Sequence, residues 1–259
     1  MTDLNSVNPP SDLDWRSWVE RWDRMQQRYL VKRVERFEVI ARLIGQTPQG
    51  VSKVVDLGCG TGSLMQGVLD AFPNAEVVGI DFDPTMLWLA RARLERFGSR
   101  SRIELTDLRQ PSWTRKVPPQ IDAVVSATAL HWLTPDQLAA LYGQIAAVLR
   151  SGGIFLNADH VASGLPAVQR EWERHRGEMR KLEATTDSDD WDGFWAAYSK
   201  ALKLDVHEIH QRVIGGWEGG VEDGLPLAWH FDRLRECGFG HVDCFWRCDC
   251  DAIYGGFRG

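Results

Sequence analysis

Nothing in this 259-residue sequence approaches the roughly 18 consecutive apolar residues that a membrane-crossing helix requires. The stretch from Met1 to Asp14 is polar, carries Pro9 and Pro10, and lacks both the basic and the apolar part of a signal peptide. Residues 1–14 therefore read as a disordered leader, and the cytoplasm is the expected location. Basic residues are not concentrated either. The formal net charge is −6, and the cations between Arg28 and Arg36 are interleaved with apolar residues. A chain without dense positive surface is a poor partner for nucleic acid, and none is expected. Cysteine is scarce. Cys59, Cys237, Cys244, Cys248 and Cys250 lack the paired C-x-x-C spacing of zinc sites, so no structural metal is expected. Cys244, Cys248 and Cys250 share parity with Val242 and Trp246, which places all five on one buried face of a strand.

What is present is ordinary globular composition, 44% hydrophobic and 25% charged, in a length that suits one large domain over residues 15–259. Trp15 to Leu43 has helical spacing, with Trp15, Trp18 and Trp22 on one stripe, and residues 15–45 form an N-terminal helical cap. Strands then alternate with helices. Strands are expected at Val51–Leu57, Glu76–Ile80, Arg102–Leu105, Ile121–Ser126 and Ile154–Asn157. Helices are expected at Ser63–Phe72, at Thr85–Phe97 behind an Asp83-Pro84 cap, and from Thr134-Pro135 to Arg150, stopped by Ser151-Gly152-Gly153. Residues 164–225 break the alternation as a Trp-rich cap insertion. A helix at His230–Cys237 and strands at His241–Cys250 and Ala252–Phe257 complete the pattern as an antiparallel hairpin. The expected fold is α/β: a Rossmann-like, doubly wound, mostly parallel seven-stranded sheet with that hairpin at one edge.

The most informative run is Val54-Val55-Asp56-Leu57-Gly58-Cys59-Gly60-Thr61-Gly62. Glycines between a strand and a helix let a ligand approach the backbone at the carboxyl end of the sheet. The dinucleotide fingerprint would need glycine at position 63, which is Ser, and an acid at Asp56 suits an ammonium better than a pyrophosphate. A nicotinamide dehydrogenase, the competitor at the level of the fold, is disfavoured on both counts. The run resembles the first motif of the class I S-adenosylmethionine (SAM)-dependent methyltransferases. Leu149-Arg150-Ser151-Gly152-Gly153 is similar to their L-x-P-G-G turn, with Ser for Pro, and Leu234 to Phe239 is similar to their L-x-x-A-G-F stretch. The resemblance covers about residues 51–160 strongly.

That resemblance implies SAM as cofactor, held by Asp56 and the Gly58, Cys59, Gly60 and Gly62 backbone. It implies Asp81 and Phe82 at the ribose, Asp107 and Leu108 at the adenine, and Ser126 and Ala127 beside the methionine part. Arg36, with Arg33, reaches the SAM carboxylate from the N-terminal helix or else faces solvent. His131, past the fourth strand, is a candidate general base or acceptor anchor, with packing beside Trp132 as the alternative; His160 carries the same ambiguity. Ala129-Leu130-His131-Trp132-Leu133 looks like branches of the family that act on small molecules, such as trans-aconitate methyltransferase. The expected partner is a small-molecule methyl acceptor taking the group on O or N, with a homodimer left open. Methylation of protein or RNA, and SAM binding for regulation or assembly without transfer, are the alternative functions.

Overall fold

The computed structural model describes residues 10, 12–183, 188–214, 220–221 and 223–259. Most of the expected leader, positions 1–9 and 11, lies outside the described residues, as do Gly215, Gly216, Trp217 and Gly219 of the insertion. The elements follow the chain as α1 (Trp15–Tyr29), α2 (Arg33–Ile44), β1 (Lys53–Leu57), α3 (Ser63–Ala71), β2 (Glu76–Asp81), α4 (Pro84–Leu94), β3 (Ser101–Leu105), β4 (Ile121–Ala127), α5 (Pro135–Val148) and β5 (Leu149–Ala162). Then come α6 (Pro166–Glu183), α7 (Trp191–Leu202), α8 (Val206–Ile214), β6 (Leu225–Pro226), α9 (Leu227–Glu236), β7 (Phe239–Cys248) and β8 (Asp251–Arg258). Among the described residues no helix is long and apolar enough to cross a membrane.

The sheet order is β3-β2-β1-β4-β5-β8-β7, with β1 to β5 parallel and β8 and β7 antiparallel at one end. Successive side chains point to opposite faces, so one strand feeds two cores. Val55 and Leu57 join Val124, Phe155, Leu141 and Tyr142 under α5 and α9. Val54 joins Val125, Leu156, Ile40, Met65 and Leu87 under α2, α3 and α4. Strands covered on both faces read as continuous apolar runs, which is why β1, β2 and β4 were legible. The caps hold as well: Asp83 accepts from the Thr85 and Met86 amides, and Thr134 forms a capping box with Gln137.

Four expectations need correction. The N-terminal helix is two helices, because Leu30 is extended and Lys32 is left-handed at φ 53°. The break lets the two halves bury against different partners, α1 on α4 and α7, α2 on α3 and the sheet. β5 begins at Leu149, not Ile154, and runs 14 residues. Ser151-Gly152-Gly153 is an irregularity inside that strand, opposite a register shift between Ile121 and Ala123, and does not stop a helix. A two-residue strand, β6, pairs with Val161 and Ala162 and was not foreseen. Finally, a register shift between Cys244 and Trp246 in β7 breaks the shared parity. Val242 and Cys244 pack on the α5–α9 side, Phe245 and Trp246 on the α2–α3 side, and Cys250 lies in the turn after the strand.

Candidate active site

The carboxyl ends of β1, β2 and β4 come together around the glycine turn. Gly58, Gly60 and Gly62 all have positive φ, between 50° and 75°. A Cβ on Gly58 would fall 2.4 Å from the Ala129 Cβ, so the turn after β1 lies directly against the turn after β4. Any side chain there would push the two apart.

Two carboxylates frame this turn. Asp56 is 1% exposed; the Met65 amide approaches its carboxylate, but neither oxygen makes a hydrogen bond of ordinary geometry among the described residues. Burial, and next the charge of Asp81, hold its carboxyl well above the usual range. Asp81 accepts from the Gly60 amide at 2.8 Å and the Asp83 amide at 2.9 Å, tying β2 to the turn. Burial pushes it up to about 6. Phe82 follows, half-buried. The Cys59 thiol is buried against Gly79, where a Cβ would fall 2.8 Å from Sγ, and burial pushes it well up; it is no nucleophile.

The other residues are less uniform. Asp107 is engaged by its neighbour, accepting from Arg109 Nε at 2.9 Å and the Arg109 amide at 2.8 Å. Leu108 is buried in the α5-side core. The Ser126 hydroxyl donates to the Leu57 carbonyl at 2.7 Å, so it binds β4 to β1, and Ala127 is half-buried beside it. Arg36 does not lie on a solvated helix face: it is 3% exposed, pairs with Asp251 at 2.9 Å and lies over the Trp246 ring. Arg33 instead meets Asp23 of α1 at 3.2 Å; Asp23 also holds Arg93, whose Nε donates to the Thr61 carbonyl at 2.8 Å.

The two histidines are brought together, each with its own carboxylate. His131 Nδ1 lies 2.6 Å from Asp159 Oδ1, and its amide donates to Asp159 Oδ2 at 3.0 Å. His160 Nδ1 lies 2.7 Å from Asp251 Oδ1. The rings are 5.1 Å apart. Burial alone would raise the Asp159 carboxyl, but the charge and hydrogen bond of His131, with those of His160, outweigh it and hold it low. His131 also stands 5.0 Å from the Trp132 ring, so it packs beside that residue as well as meeting Asp159.

Beside the pair is a cavity with room for about one water molecule, lined by Leu130, His131, Asp159, His160, Leu225 and His230. A strap of residues 220–221 and 223–226 lies against it: a Cβ on Gly220 would sit 1.9 Å from the His131 carbonyl oxygen, and one on Gly224 2.1 Å from that of His160. Behind it Asn157 donates to Tyr254, and the Tyr142 hydroxyl lies 2.8 Å from His230 Nδ1. Burial pushes His230 down to about 4, so it is neutral at pH 7.

Sequence reasoning missed Asp159, Asp251, Asp23 and the Tyr142–His230 pair. A signal existed only for Asp159, which shares a strand face with Asn157 once β5 is extended. Asp251 is 91 residues from His160 and gave none.

A family model for the methyltransferase domain matches residues 54–153. The chain is 33% identical over 203 residues to the trans-aconitate 2-methyltransferase of Deinococcus radiodurans, covering 71% of this chain and 72% of that one. It is 36% identical over 121 residues to the trans-aconitate 2-methyltransferase of Methylobacterium radiotolerans, covering 46% and 43%. Against several such relatives the chain spans a little under half of their length. An O-methyltransferase family protein from Burkholderia thailandensis shares the fold, with a TM-score of 0.57 at 16% identity over 86% of this chain and 56% of that one. The glycine turn with its buried acids, the sheet order and a relative matched over most of its length agree: the chain belongs to the class I SAM-dependent methyltransferases, whose cofactor is S-adenosylmethionine.

Proposed function

We propose that this chain transfers the methyl group of SAM to an oxygen or nitrogen of a small-molecule acceptor. The observation that carries the reading is Asp56, a buried carboxylate that the Met65 amide approaches but that no cation meets among the described residues. Such a group is costly unless a cation meets it, and the ammonium of SAM fits. Asp81 spends two of its roughly four acceptor sites on backbone amides, leaving capacity for ribose hydroxyls. Asp107 and Leu108 would face the adenine, and residues 58–62 would offer backbone alone. SAM supplies an activated methyl on a sulfonium, so the protein's own work is to orient and dry the acceptor. His131, fixed by Asp159, would hold the acceptor or take its proton; His160, fixed by Asp251, would stand behind it.

The acceptor's class is supported by the narrow approach: Gly220 lies close on the His131 carbonyl and Gly224 on that of His160, which suits a small molecule better than a nucleic acid or a folded protein. The trans-aconitate 2-methyltransferases that the chain resembles act, by name, on a small acid. A reducing, cytoplasmic setting suits five free thiols. Thermal denaturation tests the reading: SAM and S-adenosylhomocysteine should each raise the midpoint, and NAD should not. Asp56→Asn should weaken SAM by at least about tenfold, since it removes the charged partner of a buried ammonium. A folded D56N protein with unchanged SAM affinity would overturn the cofactor placement.

A further inference from the structure

Resting on the reading above, we infer that Arg36, Arg176 and Arg180 form a carboxylate-binding subsite beside His160, and that the acceptor is a small polycarboxylic acid anchored there. The cluster joins two elements that the chain has no local reason to bring together. Arg36 comes from α2 and Arg176 and Arg180 from α6. α6 is pinned over the β7–β8 turn by His175 on Asp249 and by Arg247 over the Trp172 ring, which turns its 172–176–180 face inward. Arg176 then lies 3.4 Å from His160 Nδ1. Burial, and next the field of Arg176, push the Arg180 guanidinium down, and Arg36 adds to the push.

Arg36 and His160 thus share one carboxylate, Asp251, and Arg176 stands against the same His160 ring nitrogen. The pairing is incomplete. Arg36 approaches Asp251 at 2.9 Å, but off the direction of a hydrogen bond, and its Nε and NH1 are buried without an acceptor among the described residues. The Nε of Arg180 is buried in the same condition. Buried donors with surplus positive charge call for an anion with paired oxygens, and a carboxylate matches the planar fork of arginine. Arg176 and Arg180 are partly exposed, so the cluster is open on the α6 side.

An acid held by one carboxylate would offer a second to the methyl group. A lone pair of that oxygen forms the O–CH3 bond, the C–S bond breaks with its electrons left on sulfur, and the two charges cancel. No proton moves, so His131 would orient the acceptor by hydrogen bonding and need not act as a base.

Calorimetry in the presence of S-adenosylhomocysteine, with trans-aconitate as the tricarboxylate probe and a neutral phenol as control, tests this. The tricarboxylate should bind and the phenol should not. Arg176→Gln and Arg180→Gln should each weaken the acid by about tenfold or more while S-adenosylhomocysteine affinity stays within about twofold. Unaltered acid affinity in either folded variant, or a wild-type chain that methylates the phenol but ignores the acid, would overturn the subsite and leave small-molecule transfer standing. A chain that binds neither SAM nor its product would overturn the broader reading instead. Should the variants fail to fold, the wild-type thermal midpoint decides: no rise with the tricarboxylate defeats the proposal.

Discussion

At the scale of single residues, the acids of the glycine turn make a pH prediction. Asp81 is 8% exposed and is held at about 6, against an ordinary value of 3.8. Between about pH 4 and 6 the folded, unliganded chain therefore binds more protons than the unfolded one. Stability should fall as pH rises through that window, by about 3 kcal/mol for a shift of this size. Asp81→Asn should flatten that part of the profile, as read by urea denaturation at pH 4.5 and 7; an unchanged slope would remove Asp81 as its source. Ribose hydroxyls favour the ionised form, so SAM affinity should rise over the same interval in wild type and lose that rise in the variant. His131→Ala should lower turnover by about 10²–10⁴-fold while SAM affinity holds, whether the imidazole moves a proton or aims the acceptor. Equal losses in both would make His131 a packing residue. These roles were legible to different depths. Asp56 and Asp81 stand next to glycines or at a strand end, where local pattern is informative. The partners of the histidines are 28 and 91 residues away, and only tertiary pairing brings them in.

Elements differ in legibility for a similar reason. β1 to β4 and α3 to α5 announce themselves through apolar runs and caps, signals that live within a few residues. The break at Lys32, the irregularity at Gly152 and the register shift in β7 answer to what lies across the sheet, and neighbouring residues carry no trace of it. The strap of residues 220–221 and 223–226 is the extreme case, two residues of strand fixed by close contact with β5. Gly224 sits at φ 78° with its Cα facing the His160 carbonyl, so Gly224→Ala meets both strain and a clash. The strap should lift at a cost of about 1–3 kcal/mol. Hydrogen exchange should then quicken along 223–226 and leave β1 and β4 untouched. Protection unchanged across the strap would show that the contact yields without opening.

On the scale of the whole molecule, the apolar residues fall into three groups, two under the sheet and one among helices. The third joins Trp22 and Met25 of α1 to Trp88 and Leu89 of α4 and to Phe194 and Tyr198 of α7. Trp15, Trp18, Trp191 and Trp195 border it, so six of the twelve tryptophans report on it. Among the described residues its apolar contact with the sheet layers runs through α4, and it should open first. Tryptophan fluorescence should change about 0.5–1 M urea before far-UV circular dichroism does. Superimposed curves would make the cap and the sheet one cooperative unit. The strand order has a separate consequence for a chain made from its N-terminus. Residues 53–127 contain β1 to β4 and every cofactor position argued above, so a nascent chain can assemble that half as soon as it leaves the ribosome. His160 must wait for Asp251, and β8 must slide between β5 and β7 before that histidine is held. Synthesis therefore separates the two halves of the chemistry in time: the methyl donor's cradle exists before the place where the methyl is delivered.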